Sequence, residues 1–257
     1  MIITPLYSLA GVLVGLLVGL TGVGGRSLMT PLLVLAFGFH PATAVGTDLL
    51  YASATKSVGT VVHGWRGTVD WRVVARLAAG SVPATIVTII ALHYAAEKQD
   101  MGQAISAILG VTLVLSAVAT VFRMRIVGSL TRLFGKIGTA RLAWLTVLLG
   151  VVLGVLVSIT SVGAGALGMT ALLILYPSLP INRLVGSDIA HAVPLTLLGG
   201  FGHWLLGSVN GTLLFSLLLG SIPGIIVGSL IASRISDRIL SPILAAVLAI
   251  VGLRLLF

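Results

Sequence analysis

The chain has 257 residues, 58% of them hydrophobic and 8% charged, with no cysteine and a formal net charge of +9. Apolar runs follow one another from end to end with no polar domain between them, so the chain reads as an integral membrane protein. The missing cysteine excludes disulfides, thiolate metal sites and cysteine nucleophiles, and cations placed between spans argue for topology signals rather than nucleic-acid binding.

The first apolar run, "LAGVLVGLLVGL", lies in a segment at 6 to 21; it has no basic lead-in and reads as a span rather than a cleaved signal. It ends at "TGVGGRSLMTP", residues 21 to 31, where three glycines, an arginine and a proline interrupt the apolar pattern. The next segment, 27 to 38, has about 12 residues and covers only ~18 Å of a ~30 Å hydrocarbon core, so it is expected to be a half-helix. Segment 42 to 64 carries Asp48, Lys56 and His63 within about 80° of one another on a helical wheel. Segments 71 to 95 and 102 to 122 complete the unit, and a basic stretch follows.

After that stretch the pattern repeats at an offset of 140 residues. "VGTD" at 45 to 48 returns as "VGSD" at 185 to 188, "GSVP" at 80 to 83 as "GSIP" at 220 to 223, and "MTPLLVL" as "MTALLIL". Asp48 falls on Asp188, His63 on His203, and Lys56 on Thr196. The chain therefore divides into a first repeat at 1–122, a basic linker at 123–140 and a second repeat at 141–257, with five helical segments in each repeat. Arg66, Arg72 and Arg76, the linker cations Arg123, Arg125, Arg132, Lys136 and Arg141, and Arg234 with Arg238 mark the cytoplasmic loops. Crossing parity then makes the first two segments of each repeat a V that enters and leaves on one face, and inverts the second repeat relative to the first. The expected fold is an all-α polytopic membrane protein of two inverted repeats, each opened by a V-shaped pair of short or broken helices.

Irregular backbone at membrane depth is tolerated only against protein or a wet cavity, so the two glycine-bearing breaks are expected to mark a central site. Thr21, Gly22, Gly24, Gly25 and Arg26 in the first break, and Thr160, Ser161, Gly163 and Gly165 in its partner "TSVGAGALGMT", are the candidate substrate-binding backbone and side chains. Lys56 supplies a mid-span cation, with Thr196 at the equivalent place. Asp48, Asp188 and His191 are candidates for a proton relay or for scaffold. His63 and His203 read as packing near the interface, and Trp65, Trp71, Trp144 and Trp204 as interfacial anchors. No nucleophile and base stand in a recognisable motif, no HExxH occurs, and neither a dinucleotide fingerprint nor a P-loop is met, so no catalytic residue, metal or cofactor is expected.

At "GVGGRSLMTPLLVL", "ATAVGTDLLYASATKSVGTVVH", "GTVDW" and "VGSDIAHAVPLTL" the chain resembles the TauE/SafE family of sulfite and organosulfonate exporters. The resemblance extends over essentially the whole sequence; Arg26 stands where the family commonly has a third consecutive glycine. It implies an inner-membrane carrier that moves small sulfur-containing oxyanions, usually outward. An anion channel, or an uptake permease for small carboxylates or sulfonates, would use the same cation-lined cavity. The partners expected are a small anionic substrate, the lipid bilayer and a coupled proton, with no nucleic acid; the oligomeric state is left open.

The charge distribution makes a direct prediction. A single cysteine introduced at Leu130 of this cysteine-free chain is expected to react with an impermeant thiol reagent only from the cytoplasmic side, and labelling only from the outside would overturn the orientation.

Overall fold

A computed structural model describes residues 5–21, 29–96, 101–134, 138–232 and 237–257. These residues form eleven α-helices with no strand among them: α1 Pro5–Thr21, α2 Met29–Leu35, α3 Pro41–Trp65, α4 Trp71–Ala96, α5 Met101–Val121, α6 Arg123–Phe134, α7 Thr139–Thr160, α8 Met169–Leu175, α9 Ile181–Leu205, α10 Gly211–Ala232 and α11 Asp237–Leu256. A π-helical turn, Ala164–Gly168, leads into α8. Stretches within α4, α5, α7, α9 and α10 are long and apolar enough to cross a membrane. The protein is thus all-α and polytopic. The short second segment is borne out, since α2 and α8 have seven residues each. The basic linker starts with a regular helix, α6, which packs against α8. Its three-to-four-residue apolar spacing at Ile126, Val127 and Leu130 explains why it folds onto the protein.

The boundaries repeat as faithfully as the sequence. "GTVD" and "GSVN" end α3 and α9 in the same turn: Gly67 and Gly207 take φ of 63° and 71°, and the amides of Thr68 and Ser208 bond the carbonyls of His63 and His203 at 3.0 and 2.9 Å. Such positive φ favours glycine. Asp70 and Asn210 then cap the next helix, accepting the amides of Val73 and Leu213 at 3.3 and 3.0 Å. Each loop is also tied to the opposite half of the chain: the Asp70 amide donates to Ser187 Oγ at 2.8 Å, and the Asn210 amide to Thr47 Oγ1 at 3.2 Å.

These cross-ties fix the direction of the central pair. The start of α3 meets the end of α9, because a Cβ on Gly46 would overlap the Ser208 carbonyl and the His203 side chain. The start of α9 meets the end of α3 in the same way, with Gly186 against Thr68 and His63. The sequence-equivalent helices α3 and α9 therefore run antiparallel. So do α5 and α11, where Gly110 faces Leu256 while Val114 faces Gly252. The remaining long helices pair across the halves in parallel: α1 with α10 and α4 with α7, with Gly11 and Gly15 against Leu217 and Ser221, and Gly150 and Gly154 against Leu77 and Ser81. Close backbone approach through small residues is how membrane helices gain dispersion energy where the solvent is itself apolar.

The molecule has two chemically different ends. At one lie the Arg183–Asp70 ion pair (3.8 Å), the loop bearing Arg66, the start of α4 with Arg72 and Arg76, and α6 beside α8. At the other, His40, Gly102, Gln103, Ser106, Ser208 and Leu255 line an open cleft of about 840 Å³. Trp65, Trp71, Trp144 and Trp204 are all exposed at helix ends, as expected of interfacial anchors.

Replacing Gly80 or Gly220 with valine should lower thermal stability in detergent by on the order of 1 to 3 kcal/mol or more, because each side chain would press on the backbone of its partner helix at Val147 or Ser8. Gly64→Ala, with open space around it, is the control expected to be nearly neutral; equal melting temperatures in all three would show that the seams are loose.

Candidate functional site

The site is assembled where α3 and α9 cross. Asp48 on α3 is buried at 2% exposure, and Thr30 on α2, fully buried, donates its hydroxyl to Asp48 Oδ2 at 2.5 Å. The backbone amide of Thr30 also bonds that carboxyl, so Asp48 holds the second residue of the half-helix through two donors. The hydroxyl of Ser161, from the bend of the second half, faces the same carboxyl without meeting strict hydrogen-bond geometry. One side chain thus ties α3 to the half-helix α2 and lies beside the bend of the second half.

Lys56, two turns beyond Asp48 on the same face, is buried at 6% exposure. Its ammonium acts electrostatically on both Asp48 and His191, which brings the lysine, the carboxyl and the imidazole into one neighbourhood. His191 on α9 is fully buried; its Nε2 shares a 2.9 Å hydrogen bond with Ser81 Oγ on α4, and its Nδ1 has no hydrogen-bond partner among the described residues. An imidazole anchored on one nitrogen and open on the other can take a proton or bond a ligand without repacking.

The second break is described in full. After α7, Ser161 takes a left-handed φ of 59° and Gly163 a φ of 116°, before the π-helical turn that includes Gly165. Thr160 holds the bend by donating to the Leu156 carbonyl at 2.7 Å and accepting the Val162 amide at 3.1 Å. A left-handed non-glycine residue is uncommon and marks a backbone fixed by its surroundings. Asp188 is buried at 2% exposure, with Oδ1 against Gly168 at the start of α8, the counterpart of Asp48 at the start of α2. Thr196 is buried and bonds the Ala192 carbonyl of its own helix at 2.7 Å.

Of the sequence-predicted residues, Asp48, Lys56, His191 and Ser161 come together, while Thr160, Gly163 and Gly165 shape the bend beside them. Gly22, Gly24, Gly25 and Arg26 lie outside the described residues, and Thr21 is described only as the last residue of α1. One expectation is corrected: His203 is not an interfacial residue but is 1% exposed, with Nε2 donating to the Ser158 carbonyl at 2.8 Å. It lies at the α3 crossing, where the duplicated glycine Gly46 lets the helices close over it. Thr30 and Ser81 were missed as site residues, although both sit in duplicated motifs, "MTP" and "GSVP".

Residues 7–255 match the profile of the family described as Sulfite exporter TauE/SafE. Bacillus subtilis "Probable membrane transporter protein YjnA" is 40% identical over 213 residues, covering 82% of this chain and 83% of that protein. "Probable membrane transporter protein YdhB" of the same organism is 26% identical over 214 residues, covering 80% and 81%. No solved structure matches. Spans, buried ionisable cluster and named relatives agree on a multi-pass membrane transporter. The chain belongs to the TauE/SafE sulfite exporter family.

Thr30→Val preserves shape but removes the hydroxyl from Asp48. It should lower stability by about 1 to 3 kcal/mol in a detergent melt, whereas Thr55→Val, whose hydroxyl only bonds its own helix, should cost well under half as much. Equal losses would mean that Asp48 does not hold α2.

Proposed function

We propose that the protein is a secondary carrier, working as an exporter, of small sulfur-containing oxyanions such as sulfite or organosulfonates, moved by alternating access between two inverted repeats. The observation that carries this reading is Lys56, a cation buried between the two halves of the chain beside Asp48 and His191. A charge in that position is costly unless it serves a ligand or a partner, and a membrane-embedded cation is by default a pathway residue. The family supports the substrate class through its description. The antiparallel packing of the equivalent helices α3 and α9 supports inversion, since a parallel duplication would pack them head to head.

The chemistry follows from the groups present. A tetrahedral or pyramidal oxyanion seated between Lys56 and the 161–165 bend receives an ammonium and backbone or hydroxyl donors, which together replace part of its hydration. Asp48 serves as scaffold, its carboxyl already accepting the hydroxyl and amide of Thr30 on α2. His191 is the residue that couples proton and anion, because it shares Lys56's neighbourhood and keeps Nδ1 open. An anion placed there attracts a second positive charge, so proton and anion bind cooperatively.

Lys56→Ala should weaken anion binding by roughly 10- to 100-fold, the value of a charge-assisted contact, in radiolabelled sulfite binding to folded protein. Gly163→Val should abolish sulfite flux in proteoliposomes while leaving insertion intact, because φ of 116° is closed to a β-branched residue. His191→Gln should weaken sulfite binding less than Lys56→Ala does, remove its dependence on pH, and lose the proton flux that accompanies transport, read by an internal pH dye. Unchanged affinity in Lys56→Ala would remove the lysine from the site.

A further inference from the structure

Beyond the central site, the arginine-bearing end carries a polar link with no counterpart at the other end. Arg76 on α4 donates from Nη1 to Tyr176 Oη at 3.2 Å, and the same hydroxyl shares a 2.7 Å hydrogen bond with Thr146 Oγ1 on α7. Tyr176, which ends α8, is 7% exposed and Thr146 is fully buried. The link thus joins a helix of the first half to the start of one helix and the end of another in the second. The positions equivalent by the 140-residue offset are Ser216, Ala36 and Leu6. They cannot form it: Ala36 and Leu6 lack a polar side-chain atom, and Ser216 bonds the Thr212 carbonyl of its own helix. That end is packed instead by Tyr7 against Phe37 and Phe39, at ring-centroid distances of 5.3 and 5.6 Å.

Arg76 is half-buried and, among the described residues, has no carboxylate within ion-pair distance; its acceptor is a neutral phenol. A guanidinium held in that way keeps its affinity for a planar or tetrahedral oxyanion, which offers it a charged, bidentate acceptor stronger than a phenol.

We propose that Arg76 and Tyr176 form the gate at the arginine-bearing end: an oxyanion arriving from that side is captured by Arg76, displaces the Tyr176 hydroxyl and so releases α8 from α4. This rests on the anion-carrier reading for the identity of the arriving ligand, but not for the existence of the latch. Opening breaks the Arg76–Tyr176 hydrogen bond, whose donor alone is charged, and loosens the apolar contact of Val73 and Leu77 with Tyr176; the anion offers Arg76 a contact charged on both sides in return, so the gate responds to substrate and stays shut without it.

The test uses the full chain in proteoliposomes with one reporter, Val73→Cys, which sits one turn before Arg76, is 2% exposed and packs in the same cluster as Tyr176. An impermeant thiol reagent is applied from the arginine-bearing side. Tyr176→Phe should speed labelling on the order of 5- to 10-fold with no anion present, and Thr146→Val should do so more weakly. In the reporter background alone, sulfite should produce a similar acceleration, and Arg76→Gln should remove that response. An unchanged rate in both Tyr176→Phe and Thr146→Val, each confirmed folded by size-exclusion profile, would overturn the latch. A sulfite response that survives Arg76→Gln would overturn capture by Arg76. Faster labelling in Tyr176→Phe with methanesulfonate and sulfite both inert in every background would instead count against the anion-carrier reading itself.

Discussion

A single electrostatic constraint organises this molecule: an ammonium held inside a membrane domain. A lysine at the centre of a bilayer helix costs about 2.5 to 3.5 kcal/mol on insertion scales and more on an isolated helix. The fold meets that cost by placing Lys56 on the helix that carries Asp48, at the crossing with the helix that carries His191. Asp48 in turn has to be satisfied, and Thr30 on the half-helix does this. The half-helix, the carboxyl and the lysine are consequently one construction, in which displacing the half-helix exposes a buried carboxyl.

The duplication makes the construction two-sided while leaving it unequal. Asp48 and Asp188 keep the same relation to the two half-helices, which is structural work that both repeats need. Lys56 against Thr196 and Tyr51 against His191 are two positions at which the repeats differ, and they give the two halves different ionisable groups.

Much of this was legible in the sequence because hydrophobic length and the 140-residue offset are one-dimensional signals. The half-helix at Met29–Leu35, the spans and the turns at "GTVD" and "GSVN" follow from local composition. Asp48, Lys56 and His191 could be singled out because charge is rare in so apolar a chain. Their hydroxyl partners could not: Ser81 and Thr30 are two among many small polar residues, and only the tertiary crossing selects them. His203 misled for the same reason. A histidine one turn from a helix end looks interfacial until the antiparallel partner covers it.

The pairing of helices across the two halves also constrains how the chain is made. The principal neighbour of α1 is α10 and that of α4 is α7, so neither half contains the surfaces that bury its own seams. As the polypeptide leaves the ribosome, the first five segments enter the bilayer with their glycine-lined faces turned to lipid. Those faces close only after α7 and α10 have been synthesised. Assembly is therefore late and stepwise in its earliest possible order: α4 can close on α7 about seventy residues before α1 can close on α10.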